Sequence, residues 1–502
     1  MLGAGTMGAG IAQLAAQAGA RTLLHDPAGE ALERGLAGAR ERLERGVEKG
    51  RLRREQLGSL EPAAELAGLA QAQLVIEAAP EDLELKRRLF TELAGHVAGD
   101  CVLATNTSSL SVTELAAGVP GPERVVGMHF FNPPPVMKLL ELVAGERSGP
   151  AALGVARAAG EAMGRHVIDA ADGVGFLVNR CNRPFGLEGL RLVEQRLATP
   201  EQVDRICRMA GGFRMGPFEL MDLVGIDVGF TISQSFFRQS YGEPRWRPSP
   251  LAARAVAAGR HGRKTGEGWY RYPDGPPEDP EPPAPGGGDG LVVIAGESEL
   301  AERLAIAAAE ASWDVAEPAG SEGEVPFLIL DCGGADGDPP LQGGPQLLLC
   351  DAAPLAEQDP SGPSAGFHLL PPFGSLAELT STPSTAPATL AAAEHFFATL
   401  GMVCEHVGDA PGLVLGRIVA QLVNEAAFAV GEGVGSPADV DAGMVLGLNH
   451  PRGPLEWGDE IGPAEVHGLL TALQEEYREE RYRPAPELLR AARTGEPLRP
   501  DG

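Results

Sequence analysis

Two stretches of this 502-residue chain match each other at a constant spacing of 237 residues. The first reads Asp172-Gly-Val-Gly-Phe-Leu-Val-Asn-Arg180, and the second reads Asp409-Ala-Pro-Gly-Leu-Val-Leu-Gly-Arg417. Further matches keep the same spacing from residue 164 to residue 222 of the first copy, without a gap. Chance similarity does not hold one register over about sixty residues, so the repeat indicates a duplicated domain.

Residues 273–289 separate the two copies and read Pro-Asp-Gly-Pro-Pro-Glu-Asp-Pro-Glu-Pro-Pro-Ala-Pro-Gly-Gly-Gly-Asp. This stretch has almost no apolar side chain that could join a core. We therefore predict a linker, semi-extended where proline dominates, that does not pack. A chain of this length is too long for one core, which agrees with several domains.

The hydrophobic pattern changes along each copy. Residues 1–150 alternate short apolar runs with helical stretches, which predicts a doubly wound, Rossmann-type α/β domain. Residues 151–272 read as mainly helical. After the linker, residues 290–400 faintly repeat the first part and residues 401–502 repeat the second. The fold class is thus a Rossmann-type domain plus an all-helical domain, with the pair duplicated in degenerate form.

The bulk composition excludes several classes of partner. A formal net charge of −28 argues against a broad nucleic-acid surface. No apolar run approaches the roughly 18–20 residues of a membrane span. The cysteines show no CxxC pair or metal-ligand spacing, so we expect reduced thiols, a cytoplasmic protein and no bound metal.

A G-x-G-x-x-G motif, Gly3-Ala-Gly-Thr-Met-Gly8, opens the chain and leads into the helical stretch Thr6–Gly19. In such a loop the glycines allow a tight turn, close approach to a pyrophosphate and packing of helix on strand. Asp26 closes the next predicted strand, where a carboxylate accepts hydrogen bonds from ribose hydroxyls and repels a 2′-phosphate. Because Pro27-Ala-Gly29 offers no arginine, NAD is favoured over NADP. Asp26 as a helix cap is compatible with this role.

Only two residues precede that motif, whereas the loop normally follows a buried strand. We expect that extending the chain upstream would reveal an apolar run of about five residues ending at Leu2.

The segment Gly127-Met-His-Phe-Phe-Asn-Pro133 places His129 at the end of a predicted strand. Glu141 lies in the next strand, Lys138 to Val143. On adjacent strands, the carboxylate would orient and charge-stabilise the imidazole, as a general base near neutral pH requires. Alone, His129 could equally be a structural histidine.

Small polar residues follow another strand in Asn106-Thr-Ser-Ser-Leu110, and Asn179 opens the first helical domain. Ser108 could cap a helix or face a ligand. In the second half, Glu297 stands where a phosphate-binding glycine would be and would repel a pyrophosphate. His368 survives there without an identifiable partner to match Glu141, and Gly416 replaces Asn179. We therefore predict one active site per chain.

These motifs together identify a family. The chain resembles the L-3-hydroxyacyl-CoA dehydrogenases over residues 1–272, in the segments Gly3–Gln13, Asn106–Leu110, His129–Pro133, Lys138–Glu141, Gly175–Arg180 and Met215–Leu220. With Asn449-His-Pro-Arg-Gly-Pro-Leu-Glu-Trp457 in the second helical domain, the layout is similar to the bacterial long form. That form is associated with 3-hydroxybutyryl-CoA and with the 3-hydroxyadipyl-CoA step of phenylacetate breakdown.

The resemblance implies His129 as the base and Glu141 as its partner. It implies that Ser108 and Asn179 bind the substrate oxygen and that Lys49 contacts CoA. The cofactor side of the predicted site comprises Gly3, Gly5, Thr6, Met7, Gly8, Asp26, Glu81, Lys86, Asn106, Asn132 and Lys264. Arginines between Arg40 and Arg54 could add positive charge for CoA, although a solvated helix face is about as good an interpretation.

The expected activity is NAD-dependent oxidation of 3-hydroxyacyl-CoA in fatty acid, butanoate or phenylacetate catabolism. Two alternatives remain open. One is a 3-hydroxyacid dehydrogenase that does not use CoA, and the other is a catalytically weak NAD- or CoA-binding or structural homologue. We expect an acyl-CoA substrate and possible homo-oligomers, with the two helical domains packed as an internal pseudo-dimer.

Overall fold

The computed structural model describes residues 1–318, 325–333 and 343–500. The chain divides into two compact units. The first unit comprises Met1–Cys181 and Ala429–Asn449, and the second comprises Asn182–Phe428 and His450–Gly502.

Fourteen strands occur among the described residues. They are β1 (Thr22–Leu24), β2 (Leu60–Pro62), β3 (Leu74–Glu77), β4 (Val102–Thr105), β5 (Val125–Phe130), β6 (Leu139–Ala144), β7 (His166–Ala171), β8 (Leu291–Ala295), β9 (Asp314–Ala316), β10 (Leu328–Asp331), β11 (Gln346–Leu349), β12 (Ala365–His368), β13 (Leu376–Thr380) and β14 (Val403–His406).

Nineteen α-helices occur in the same described ranges. They are α1 (Thr6–Gln17), α2 (Gly29–Glu48), α3 (Leu83–Ala94), α4 (Val112–Ala116), α5 (Pro150–Ala162), α6 (Val178–Cys181), α7 (Arg183–Glu194), α8 (Pro200–Met209), α9 (Pro217–Val224), α10 (Ile226–Gln239), α11 (Pro250–Ala257), α12 (Glu299–Glu310), α13 (Leu355–Gln358), α14 (Pro387–Thr399), α15 (Leu415–Gly431), α16 (Pro437–Leu448), α17 (Pro454–Ile461), α18 (Pro463–Tyr477) and α19 (Pro486–Thr494).

The first unit is built on a sheet of order β3-β4-β5-β6-β7, parallel except between β5 and β6. A separate parallel pair, β1 and β2, lies beside it. Leu2 bridges His25 at the end of β1 and Glu77 at the end of β3, both in the parallel sense. The strands predicted near residues 21–25, 74–78, 101–104, 125–129 and 138–143 are confirmed to within a residue or two, but β2 and β7 were not predicted.

Met1 and Leu2 lie between β1 and β3: Met1 N donates to Leu23 O, and Leu2 N donates to Ile76 O. Next to them is a cavity of about 440 Å³, lined by the two strands and by apolar residues of α1 and α5. The predicted upstream run ending at Leu2 stays a prediction.

Polar side chains fix where the helices of this unit begin. Asp82 accepts a hydrogen bond from Leu85 N at the start of α3, and Ser111 accepts one from Glu114 N at the start of α4. Asp172 accepts from both Ser111 Oγ and Thr113 N. Each side chain satisfies an amide that the first helical turn leaves without a partner.

The second unit contains a seven-stranded sheet of order β14-β13-β12-β11-β10-β8-β9. All neighbours are parallel except β12 and β13. With Leu2 at the position of β8, this is the strand order of the first unit. In this sheet β8 pairs with both β9 and β10.

The predicted linker carries no helix or strand between residues 273 and 290, but the expectation that it does not pack is wrong. Arg208 donates twice to the carboxylate of Asp279, with nitrogen–oxygen distances of 2.6 and 2.8 Å. Gly286 N donates to Thr399 O, and Gly288 N donates to Ala311 O. Composition showed the lack of apolar side chains, but not the acidic side chain and the backbone amides that bind this stretch to the fold.

The helical segments of the second unit contact each other through buried polar groups. Arg417 in α15 is fully buried and donates to Glu188 in α7, which is also fully buried. Tyr482 donates to the same carboxylate. Phe213 and His450, which occupy equivalent places in the 237-residue repeat, meet edge to face with ring centroids 5.1 Å apart.

No single α-helix in the described part of the chain is both long and apolar enough to cross a membrane. Taken together, α9 and α10 reach the required length and composition, but they are bent by 100° at the break between them.

Candidate active site

His129 and Glu141 face each other across the antiparallel strands β5 and β6 of the first unit. His129 Nδ1 lies 2.5 Å from Glu141 Oε2. His129 is 6% exposed and Glu141 is fully buried. The predicted adjacency of the two side chains is therefore confirmed. Because the pair is buried, a carboxylate hydrogen-bonded to Nδ1 fixes the tautomer of the imidazole and leaves Nε2 available to a substrate.

The other carboxylate oxygen, Glu141 Oε1, accepts hydrogen bonds from two consecutive amides. The distances are 3.1 Å from Leu177 N and 2.9 Å from Val178 N. Both amides point inward because Gly175 and Phe176 turn through left-handed backbone angles, with φ of 74° and 51°. A buried carboxylate needs such partners to remain charged.

Asn179 and Ser108 lie at the mouth of this site. Asn179 Nδ2 is 3.4 Å from Ser108 O, and the Ser108 side chain is exposed. Asn106 points its Oδ1 to Phe130 N at 2.8 Å, which ties the loop after β4 to β5. The structure thus brings all three predicted polar residues to the end of β5 that carries His129.

Two aromatic rings enclose the histidine. The ring centroid of Phe131 is 4.6 Å from that of His129, and the Phe176 centroid is 5.9 Å away. Both phenylalanines are buried. Their packing against the imidazole contributes to the burial of His129.

The glycine loop has the tight geometry that its motif requires. Gly3 has a φ of 88°, and a Cβ there would lie 2.6 Å from Ala78 O. A Cβ on Gly8 would lie 1.9 Å from Gly3 O, whereas a Cβ on Gly5 would meet open space. The first turn of α1 contains no acidic residue. The loop therefore presents a helix N-terminus with room for an anionic group beside Gly5.

Asp26 supports this loop. One carboxylate oxygen accepts from Ala4 N at 2.8 Å and the other from Ala28 N at 2.9 Å. Each oxygen has a further lone pair for a hydroxyl donor. A cavity of about 400 Å³ borders Gly5 and Thr6, and it is also lined by Arg34, Arg42 and the proline turn at 133–135. These features fit a bound dinucleotide.

An ionic cluster lies under the same edge of the sheet. Lys86 is 1% exposed and donates to both oxygens of Glu77, at 2.8 and 3.0 Å, and it also faces Glu81 at 3.2 Å. Glu81 accepts from Thr107 Oγ1 and Ser109 Oγ. Burial opposes ionisation of Glu81, but Lys86 and these hydroxyls hold its pKa below the usual value.

The sequence analysis missed Glu77 and Thr107 in this cluster. A lone carboxylate ending the apolar run Leu74–Glu77 was the available signal for Glu77. Lys86 is 1% exposed, and its ammonium group is held by the carboxylates of Glu77 and Glu81.

The remaining predicted residues are more dispersed. Asn132 is exposed in the turn after β5, and Met7 is half-buried on α1. Lys49 ends α2 and is exposed. Lys264 belongs to the second unit, where it donates to Asp227 at 2.7 Å. Among the arginines near Lys49, Arg45 pairs with Glu41 and Arg54 with Glu44.

The second unit repeats the His–Glu arrangement, which corrects one prediction. His368 does have a counterpart of Glu141: Glu378 lies opposite it on β13 and accepts hydrogen bonds from Val414 N and Leu415 N. The pair is looser, with 3.8 Å from His368 Nδ1 to Glu378 Oε1. Glu378 was missed because ten positions separate it from His368, whereas twelve separate His129 from Glu141.

A glycine loop and a buried His–Glu pair on one Rossmann-type sheet define a dinucleotide-dependent oxidoreductase. The chain matches the model of the 3-hydroxyacyl-CoA dehydrogenase NAD-binding domain over residues 1–173. It matches the model of the C-terminal domain of the same enzymes over residues 175–272 and 412–502. The chain belongs to the 3-hydroxyacyl-CoA dehydrogenase family.

Some similar proteins cover nearly the whole chain, and others cover about half of it. The 3-hydroxyadipyl-CoA dehydrogenase of Escherichia coli K12 is 35% identical over 495 residues, which are 96% of this chain and 95% of that protein. The crystal structure of a 3-hydroxybutyryl-CoA dehydrogenase from the same species has a TM-score of 0.83 at 33% identity and covers 98% of this chain and 97% of that one. The 3-hydroxybutyryl-CoA dehydrogenase of Mycobacterium tuberculosis H37Rv is 39% identical over 278 residues, which are 54% of this chain and 97% of that protein.

Proposed function

We propose that this protein oxidises 3-hydroxyacyl-CoA esters to 3-oxoacyl-CoA esters with NAD as the oxidant. Family membership supports the reaction class. The observation that carries the mechanism is the 2.5 Å contact between His129 and the fully buried Glu141, at the sheet edge that also holds the glycine loop.

In this proposal His129 is the general base. Its Nδ1 is engaged by Glu141, so Nε2 removes the proton from the 3-hydroxyl group. NAD, when bound, accepts the hydride that leaves C3. The proton taken by His129 creates an imidazolium beside a carboxylate that already lies in place, so no solvent has to reorganise.

Ser108 and Asn179 orient the substrate oxygen. Their side chains lie at the mouth of the site, and each can donate a hydrogen bond to the oxygen at C3. Holding the oxygen near Nε2 and C3 near the cofactor makes the transfer effectively unimolecular.

The glycine loop, the N-terminus of α1 and Asp26 would hold NAD. The open space at Gly5 would leave room for the pyrophosphate, and the remaining lone pairs on Asp26 would accept hydrogen bonds from the ribose hydroxyls. Asn106 and Asn132 shape the loops on the nicotinamide side, and Lys86 acts through Glu81. The proposal also keeps Lys264 as a residue that contacts NAD.

We propose that Lys49 and the exposed arginines of α2 attract the phosphates of CoA. Arg42 already donates to Gln13, and Arg40 donates to Leu60 O, so these two side chains are held near the unit surface. Their charge is local, because the chain as a whole is strongly acidic.

The two halves of the chain form, in this proposal, one catalytic and one silent copy, with the helical segments as an internal pseudo-dimer. The buried Arg417–Glu188 contact and the Phe213–His450 contact support the pseudo-dimer. We further propose that residues 273–289 form the boundary between the two halves. The same proposal includes assembly into homo-oligomers and a cytoplasmic location.

Formation of NADH tests the reaction. We expect (S)-3-hydroxybutyryl-CoA to be oxidised with NAD far faster than with NADP, and the free acid to be a poor substrate. Equal rates with the free acid would favour a 3-hydroxyacid dehydrogenase, and no rate with any ester would favour a binding protein. Rates across 3-hydroxybutyryl-, 3-hydroxyadipyl- and long-chain CoA esters assign the chain length.

A further inference from the structure

The turn that holds Glu141 rests on a distant part of the chain. Leu177 N and Val178 N bind the carboxylate, so any movement of these two residues moves the partner of His129. Behind them lie residues 429–449, which come from the second copy of the repeat but belong to the first compact unit. We call residues 429–449 the support segment.

We propose that the support segment is a positioning element of the active site, an inference that rests on the proposed role of His129 and Glu141. Two of its glycines lie directly against the turn. A Cβ on Gly435 would be 2.6 Å from Leu177 Cδ2, and a Cβ on Gly443 would be 2.7 Å from Val178 Cγ2. Neither contact leaves room for a larger residue.

The first copy does not share this requirement. In the 237-residue register, Gly435 corresponds to Ala198 and Gly443 to Ile206. Ile206 is fully buried, so that position takes a large side chain where it supports no His–Glu turn of the first sheet. The glycines are therefore particular to the segment that packs on the catalytic turn.

Two polar contacts hold the segment in place on either side of the turn. Ala171 N, at the end of β7, donates to Val434 O at 2.8 Å. Arg180 is buried and pairs with Glu432 at 2.8 Å. Arg180 follows Asn179 in α6, so this ion pair also fixes the helix that carries the predicted substrate ligand. The residue equivalent to Glu432 in the first copy is the uncharged Gln195.

In the second unit the roles of the two repeat copies are reversed, because helical residues of the first copy contact the second sheet. Ser375 N, just before β13, donates to Met209 O at the end of α8, and Gly408 N donates to Leu197 O. The first helical copy thus packs on the second sheet, as the support segment packs on the first sheet. A silent second copy remains necessary because it contributes part of the first site.

The test enlarges the side chain at position 443 and then reduces the one it would contact at position 178. Gly443→Val should push Val178 and its amide away from Glu141. Since misplacing a catalytic group by about 1 Å costs on the order of a hundredfold in rate, we expect kcat to fall by about tenfold to a hundredfold. The KM for 3-hydroxybutyryl-CoA and the Kd for NAD should change by less than about threefold. Adding Val178→Ala should restore most of kcat.

Gly154→Val is the matched control, because Gly154 is an exposed helical glycine of the same unit with open space around it. Glu432→Gln, which changes no packing volume, should lower kcat several-fold with NAD binding intact. Wild-type kcat in both Gly443→Val and Glu432→Gln would overturn the inference. So would a parallel loss of kcat and NAD binding that Val178→Ala does not rescue. A His129→Gln variant with full activity would instead overturn the proposed base.

Discussion

The two His–Glu pairs of this chain share a framework and differ in the details that chemistry needs. In each unit, a histidine and a glutamate face each other across the single antiparallel pair of a mixed sheet. In each, two consecutive amides of the following turn hold the glutamate. The nitrogen–oxygen distance is 2.5 Å for His129 and 3.8 Å for His368.

The difference extends to the space around the ring. A Cβ on Gly416, which replaces Asn179, would lie 2.6 Å from His368 Nε2. The backbone of α15 therefore covers the nitrogen that the first site leaves for substrate. His368 Nδ1 has no hydrogen-bond partner among the described residues. The comparison teaches that the held carboxylate is common to both sheets, whereas the short contact and the asparagine occur only in the pair for which we propose catalysis.

The largest expected effect comes from removing each histidine in turn. His129→Gln should lower kcat by about a thousandfold or more, because a positioned base contributes roughly 10²–10⁴ and its loss also removes the ring nitrogen that contacts the buried Glu141. His368→Gln should leave kcat unchanged. Steady-state NADH formation measures both, and NAD binding by each variant shows that the fold is intact. A similar loss in both variants would mean that the second pair also acts in catalysis.

The next largest effect is expected when Asn179 is replaced by glycine, the residue found at the equivalent position 416 of the second copy. Asn179→Gly should lower kcat/KM by about tenfold to a hundredfold, since it removes one donor to the substrate oxygen. Asn179→Asp keeps the size and changes the donor to an acceptor, so it should not restore activity. The reverse change, Gly416→Asn, should lower the thermal midpoint because the side chain has no room beside His368. Unchanged kinetics in Asn179→Gly would remove Asn179 from the site.

The smallest effect concerns Phe213 and His450, which occupy equivalent places in the two copies. Burial lowers the pKa of His450 from 6.5 to about 4. Between pH 6.5 and 4 the histidine is therefore protonated in the unfolded chain but neutral in the folded protein. The free energy of unfolding consequently falls as the pH falls through this range. At pH 5 the cost is about 2 kcal/mol.

His450→Phe, which makes the two positions alike, should remove this part of the pH dependence. Urea unfolding at pH 5 and pH 7.5 measures it. His96→Phe is the control, because His96 is exposed. If both variants keep the wild-type difference between the two pH values, His450 titrates in the folded protein as it does in the unfolded chain.

Much of the first sheet could be predicted from the sequence. Its buried strands are continuous apolar runs bounded by polar turns, and the glycine loop marks the start of α1. The edge strand β7 was not predicted because its exposed and buried residues alternate, as in His166-Val-Ile-Asp-Ala-Ala171, and a short half-exposed strand among helices has little hydrophobic signal.

The polar details of the site were less predictable. The pairing of His129 with Glu141 followed from two strands joined by a proline turn, but Glu378 could not be aligned through a turn two residues shorter. The resemblance assigned Lys86 to the cofactor side of the site, but its burial against Glu77, nine positions earlier, was not predicted. The support segment lies hundreds of residues from the turn it holds, and no local pattern indicates such a contact.

The position of Asp26 directly after β1 has a consequence for the dynamics of the first unit. β1 and β2 form a two-stranded sheet of their own, so we expect this ribbon to open locally at a lower free energy than β3–β7, and Asp26 links it to the glycine loop through Ala4 N. The amides of Leu23 and His25 should then exchange with solvent faster than those of β4 and β5. Because NAD would bind only the closed state, saturating NAD should slow that exchange in proportion to its affinity. Hydrogen exchange in β1 would thus report cofactor occupancy without any turnover.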